Sequence, residues 1–144
     1  MNPKDINDLV LFQIEKTNKI AKLHGQRALE KHGLGITVDQ WVLLKIIQER
    51  QPLSQRELAD FSKRDPASIT RTLNLLDKKE LIGREPIPDL RRQYEVRLSK
   101  AGEQFVKENM PMVKQLREQS VKGFTKAEQE MLIQLLVRIQ ENMS

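Results

Sequence analysis

Between Pro66 and Lys78 the sequence sets Ala67, Ser68, Thr70, Arg71, Asn74 and Lys78 around an apolar stripe of Ile69, Leu73 and Leu76. The stripe runs i, i+4 and i+7, which puts it on one helical face and leaves the small, hydrogen-bonding and cationic residues on the others. A guanidinium offers two parallel donors that match guanine O6 and N7, and an asparagine amide offers the donor and acceptor that match an adenine edge. A helix with Arg71 and Asn74 on such a face has the make-up of one that enters a DNA major groove. An amphipathic helix whose polar face is merely solvated has the same pattern. The neighbouring residues decide between the two.

The elements that must position this face are read from their caps. Asp65 is an N-cap, and Pro66 suits the first helical position because the N–H it lacks has no partner there. Upstream, Ser54-x-x-Glu57 is a capping box that opens a shorter helix. A tight turn through Ser62, Lys63 and Arg64 joins the two. Ser54, Gln55, Lys63 and Arg64 fall at helix starts and in the turn, where phosphate contacts are made in DNA-binding modules. Past Lys79 the period changes from helical to alternating. Leu81 to Ile87 is predicted as a strand, Pro88-Asp89 as a turn, and Gln93 to Leu98 as a second strand in which Tyr94, Val96 and Leu98 alternate with polar residues. The result is a hairpin with Arg91 and Arg92 at its tip, suited to a flanking minor groove.

Around this centre lie longer helical stretches. The segment from Asp5 to His32 reads as one helix ended by the glycines of KHGLG. Its block Leu9, Val10, Leu11, Phe12 and Ile14 covers more than one face, so it needs more than one neighbour. Thr37-x-x-Gln40 is a second capping box, opening a helix that runs to Gln48 or Glu49 with Trp41 as a core anchor. Gln51-Pro52-Leu53 reads as a connector. Ser99 starts a further helix that Pro111 should kink rather than end. Thr125-x-x-Glu128 opens the last, striped with Leu132, Leu135, Leu136, Ile139 and Met143. The terminal helices thus carry apolar surface the centre does not need, to be covered either by a second subunit or within the chain.

The chain has 144 residues, one domain's length, and a formal charge of +5. Ten Lys and Arg stand against six acids between Lys63 and Lys100, so four of the five excess charges fall there. A local basic excess favours an anionic partner. The absence of cysteine excludes disulfides and thiolate chemistry. No signal-peptide core or membrane-length apolar run is visible, and a cytoplasmic protein without membrane association is expected. No nucleophile–base pair, glycine-rich phosphate loop or carboxylate cluster suggests an enzyme. His24 and His32 lie in no metal-ligand spacing, and no cofactor is expected.

The order helix, helix, two-helix turn, wing, long helix, helix resembles the MarR family of winged helix-turn-helix regulators. ITVDQWVLL is similar to the family's second-helix opening, SQRELADFSKRDPASITRTLNLLDKKELI to its DNA-reading module, and RLSKAG to the end of its wing and start of its fifth helix. The resemblance implies a mainly α fold with a small β-hairpin wing, residues 36–99 forming the DNA-binding lobe and residues 4–32 and 100–143 the dimerisation helices of a single domain. It implies a homodimeric repressor on a pseudo-palindromic operator in double-stranded DNA, released by a small aromatic or phenolic effector in a crevice lined by His24, Trp41 and the start of the fifth helix. The alternative is a winged-helix protein–protein adaptor without sequence-specific DNA binding. Three departures stand out. Glu80 occupies a position where the family has glycine in a left-handed conformation, the turn carries Lys63-Arg64, and the wing's arginine aligns with Arg92 while Arg91 competes for the role.

Overall fold

The computed structural model describes residues 5–90 and 93–144. A 3-10 turn over Ile6–Asp8 leads into α1 (Val10–Lys31), α2 (Val38–Arg50), β1 (Leu53–Ser54), α3 (Gln55–Ser62) and α4 (Pro66–Lys78). The chain continues through β2 (Ile82–Pro86), β3 (Tyr94–Leu98), α5 (Lys100–Ser120) and α6 (Lys126–Met143). The architecture is mainly helical with a small antiparallel wing, as expected. It falls into two compact units, one ending at Glu108 and the other starting at Asn109.

In the first unit, local caps explain most helix boundaries. The Asp5 carboxylate accepts from the Asn7 N–H at 2.7 Å. That closes the short turn, and Leu9 is extended before α1 begins. The single helix expected from Asp5 is therefore broken at Leu9. α1 ends as a Schellman motif: the Gly33 N–H donates to Glu30 O and the Leu34 N–H to Leu29 O, each at 3.0 Å, with Gly33 at φ 66°. At α2 the capping box is complete, Thr37 Oγ1 accepting from the Gln40 N–H at 3.1 Å and Gln40 Oε1 accepting from the Thr37 N–H at 3.0 Å. At α3 only half of the expected box forms. Ser54 Oγ accepts from the Glu57 N–H at 3.0 Å, and no return bond joins it.

The Gln51-Pro52-Leu53 connector ends in a strand. Leu53 and Ser54 pair antiparallel with Val96 and Glu95, making a three-stranded sheet in the order β1-β3-β2. Two residues have no alternation to read, and their partners are distant in the chain. The β2–β3 hairpin runs in register from Ile82↔Leu98 to Pro86↔Tyr94. Against the sheet lies the core: Leu43, Leu44 and Ile47 of α2, Leu58 of α3, Ile69, Leu73 and Leu76 of α4, Val96 of β3 and Val106 of α5 are fully buried. Each such side chain contributes about 1.5–3 kcal/mol of burial free energy.

The end of α4 is fastened to the start of α5. Glu80 takes φ 61°, and the Leu81 N–H donates to Leu76 O at 3.1 Å in a second Schellman closure. Ser99 Oγ donates to Glu80 O at 2.6 Å and accepts from the Gly102 N–H at 2.9 Å. A Cβ on Gly102 would sit 1.9 Å from Leu81 O, so the approach requires glycine. α5 contains Pro111 and continues to Ser120, so the proline does not end it.

In the second unit, α6 opens on a complete Thr125–Glu128 capping box. No residue of α6 is buried. Among the described residues, no helix is long and apolar enough to cross a membrane.

Candidate nucleic-acid interface

α4 is anchored at both ends and along one side. Asp65 Oδ2 accepts from the Ser68 N–H at 3.1 Å, and Pro66 follows at the helix start. Ile69, Leu73 and Leu76 hold the buried side. On the other side Pro66, Ala67, Thr70, Arg71 and Asn74 are exposed, with Ser68 half-buried. The Thr70 hydroxyl donates to Pro66 O at 3.0 Å, so its proton stays within the helix and its oxygen remains an acceptor. Among the described residues, no carboxylate pairs with Arg71.

The turn before α4 treats its two cations differently. Lys63 ends α3 at φ 57°, ψ 30°, a left-handed conformation that favours glycine, and its side chain is exposed. Arg64 folds back instead. Its Nη2 donates to Asp39 Oδ1 at 3.1 Å, and its side chain is 28% exposed. Lys22 Nζ donates to the other oxygen of Asp39 at 2.9 Å. Burial pushes the Asp39 carboxyl up, but the hydrogen bond and charge of Lys22, then those of Arg64, outweigh it and hold the group below its ordinary 3.8. Arg64, expected as a free phosphate ligand, is occupied by this bridge.

Two further expectations change. Ser54 is 7% exposed and its hydroxyl caps α3, so it fixes the helix start rather than facing outward. Gln55 is half-buried, and its Oε1 is enclosed without a hydrogen-bond partner. Arg91 and Arg92 lie outside the described residues. Their flanks close toward a turn, with the Ile87 N–H donating to Gln93 O at 3.0 Å and Asp89 at φ 66°.

Arg84 of β2 is a residue that sequence reading passed over. Its Nη1 donates to Asn74 Oδ1 and its Nη2 to Asp77 Oδ2, both at 2.9 Å. The available signal was parity. Arg84 lies two residues from buried Ile82 and so shares the inner face of its strand, where a cation needs partners.

Of the groups expected to line an effector crevice, Trp41 and the start of α5 are in contact. Trp41 is 6% exposed and packs on Phe105, the ring centroids 6.3 Å apart and tilted by 54°. It is a core anchor. His24 is exposed on α1. A separate open hollow is walled by Gln26, Leu29, Ile36, Thr37, Gln40 and Lys79, and neither His24 nor Trp41 lines it. Among the described residues, no group of His, Asp and Glu is arranged to hold a metal ion.

A capped helix pair, a basic turn and a hairpin beside the second helix define a winged helix-turn-helix DNA-binding protein. Residues 36–94 match the model of the MarR family. The chain is similar to a probable transcriptional regulator from Pseudomonas aeruginosa, with 30% identity, 94% of this chain and 99% of that one covered, and a TM-score of 0.76. It is also similar to a MarR/EmrR family transcriptional regulator from Acinetobacter sp. ADP1, with 20% identity, 96% and 97% covered, and a TM-score of 0.87. A mutant MarR from E. coli, complexed with operator DNA, shares 23% identity over 94% of this chain and 99% of that one, at a TM-score of 0.76. The chain belongs to the MarR family of winged-helix transcriptional regulators. Its class of function is DNA-binding regulation, not enzymatic catalysis.

Proposed function

We propose that the protein is a homodimeric repressor that reads a pseudo-palindromic operator through α4 and is released by a small-molecule effector. The observation that carries this reading is the exposed polar face of α4, with Arg71 unpaired at its middle among the described residues, its one carboxylate, Asp77, held by Arg84, and β2 beside it. In this reading Arg71 takes a guanine edge, while Ala67, Ser68, Thr70 and Asn74 meet the surrounding bases and backbone. Lys63 and the N-terminal turns of α3 and α4 hold phosphates, and Arg91 or Arg92 enters the flanking minor groove. That the E. coli relative is complexed with operator DNA supports an operator as the partner.

Residues 36–99 form the reading lobe, and residues 4–32 and 100–143 supply the pairing helices. Support for pairing comes from exposed apolar side chains on each. α1 presents Val10, Leu11, Ile20 and Leu23, and α6 presents Met131, Leu132, Ile133 and Leu135. Apolar faces of this extent are ordinarily covered by a partner, here a second copy. In this reading the effector sits in the hollow beside Gln26, Leu29 and Gln40, which buried Trp41 does not line.

Gel shifts with the DNA flanking the protein's own gene, against random duplex at several salt concentrations, test the reading. A specific complex that survives salt longer than the random one is expected. Equal affinity for both at every salt would remove the claim of sequence reading.

A further inference from the structure

Arg84 reaches from the wing to two residues on the C-terminal half of α4, and what it does to one of them bears on base recognition. Nη1 donates to Asn74 Oδ1 at 2.9 Å while Nη2 donates to Asp77 Oδ2 at 2.9 Å. A guanidinium has only donors, so the amide it meets must turn its oxygen inward. The orientation of the Asn74 amide is therefore set by the charge of its partner rather than left open. The amide nitrogen keeps both hydrogens, and it has no partner among the described residues. Arg84 is itself held: its side chain is 23% exposed, and Asp77 anchors the second arm of the fork. A lysine, a point charge on a flexible stem, does not hold two acceptors in one plane in this way.

An unrestrained asparagine reads adenine by using both its oxygen and its nitrogen. That pairing needs the oxygen turned toward the base, and the bond from Arg84 holds it toward β2 instead. What Asn74 offers the groove is a pair of donors, and guanine is the base whose major-groove edge carries two acceptors, N7 and O6. We propose that Arg84 is a positioning residue for base recognition, holding the Asn74 amide so that it favours guanine over adenine at the base pair it faces. The inference rests on the reading of α4 as the helix that enters the major groove. It replaces the adenine contact that the sequence alone suggests for Asn74. The competing role is a brace between wing and helix, which would affect all DNA sequences alike.

Selection from a random duplex pool separates these roles, because it needs no prior operator. Wild type is compared with Asn74→Ala, which marks the base pair concerned, and with Arg84→Met, Arg84→Lys and Asn74→Asp. Wild type is expected to enrich guanine at that pair. Arg84→Met and Arg84→Lys are expected to move the preference toward adenine by roughly tenfold or more, the worth of one bidentate base contact, with other positions unchanged. Asn74→Asp keeps an oxygen for Arg84 but has no donor, so the guanine preference should vanish. That variant decides the matter if an Arg84 substitution does not fold. A wild type that enriches no sequence overturns the DNA reading itself. A wild type that enriches an operator whose profile is the same with Arg84→Met, or with Asn74→Asp, overturns only the role of Arg84.

Discussion

Asp39 on α2 accepts from Arg64 at 3.1 Å, with Lys22 of α1 at 2.9 Å on its other oxygen. One carboxylate thus joins the first helix, the second helix and the turn that precedes α4. The folded carboxyl lies below its ordinary 3.8, so the bridge stabilises the fold above that value and is lost as pH falls through the lower, folded one. Asp39→Asn is expected to cost about 0.5–1 kcal/mol near neutrality, a figure already reduced for solvent screening. Denaturant unfolding along a pH series checks this. The gap between variant and wild type should narrow in acid and in high salt, and a gap that stays constant would show that the charges are not responsible.

The left-handed residue at the end of α4 gives a test of opposite sign. Glu80 holds φ 61° in a Schellman closure, where a side chain is strained and glycine is not. Glu80→Gly is expected to raise stability by about 1 kcal/mol, the relief of strain exceeding the added freedom of the unfolded chain. Thermal or denaturant midpoints measure it. A loss of stability would mean that the Glu80 side chain makes a contribution of its own.

These two sites also show what a sequence discloses. The positive φ at Glu80 was legible because a glycine is expected there, and the caps at Thr37, Asp65 and Thr125 were legible because each is complete within four residues. The buried stripe of α4 follows from period alone. What escaped reading depends on distant partners. β1 exists because Leu53 and Ser54 meet Val96 and Glu95, and Arg64 turns inward because folding brings Asp39 to it. The clamp of Arg84 on Asn74 spans helix and strand. Long-range pairing of polar groups has no local signature. The candidate helix was therefore legible from its own residues, whereas the burial of Ser54 and the Asp39 partner of Arg64 were not.

Lys63 and Arg64, adjacent in sequence, should behave differently on DNA. Lys63 is exposed and makes no ion pair among the described residues, whereas Arg64 is held by Asp39. Lys63→Ala is expected to weaken operator and random duplex alike and to reduce the salt slope by about one unit. Arg64→Ala should change the slope less and lower stability more. Binding titrations over a range of salt, beside unfolding curves, distinguish them. Equal slopes for both variants would return Arg64 to the phosphate contacts.

The exposed apolar side chains of α6 give a prediction about assembly. Leu132 and Leu135 are 45% and 43% exposed on a helix with no fully buried residue. Replacing both with lysine is expected to leave helix content intact and to shift sedimentation from a dimer to a monomer. Operator affinity should fall with it, because two half-sites are then no longer bound together. A double variant that sediments as the wild type does would move the dimer interface elsewhere.

Arg71 bears most directly on the claim that α4 reads bases. It is exposed at the middle of the helix and unpaired among the described residues. The decisive measurement titrates wild type and Arg71→Ala against the selected operator and against random duplex at one salt concentration. The variant is expected to lose about 1–3 kcal/mol on the operator, with relaxed preference at one base pair and a smaller loss on random duplex. Unchanged affinity for both DNAs would contradict the account.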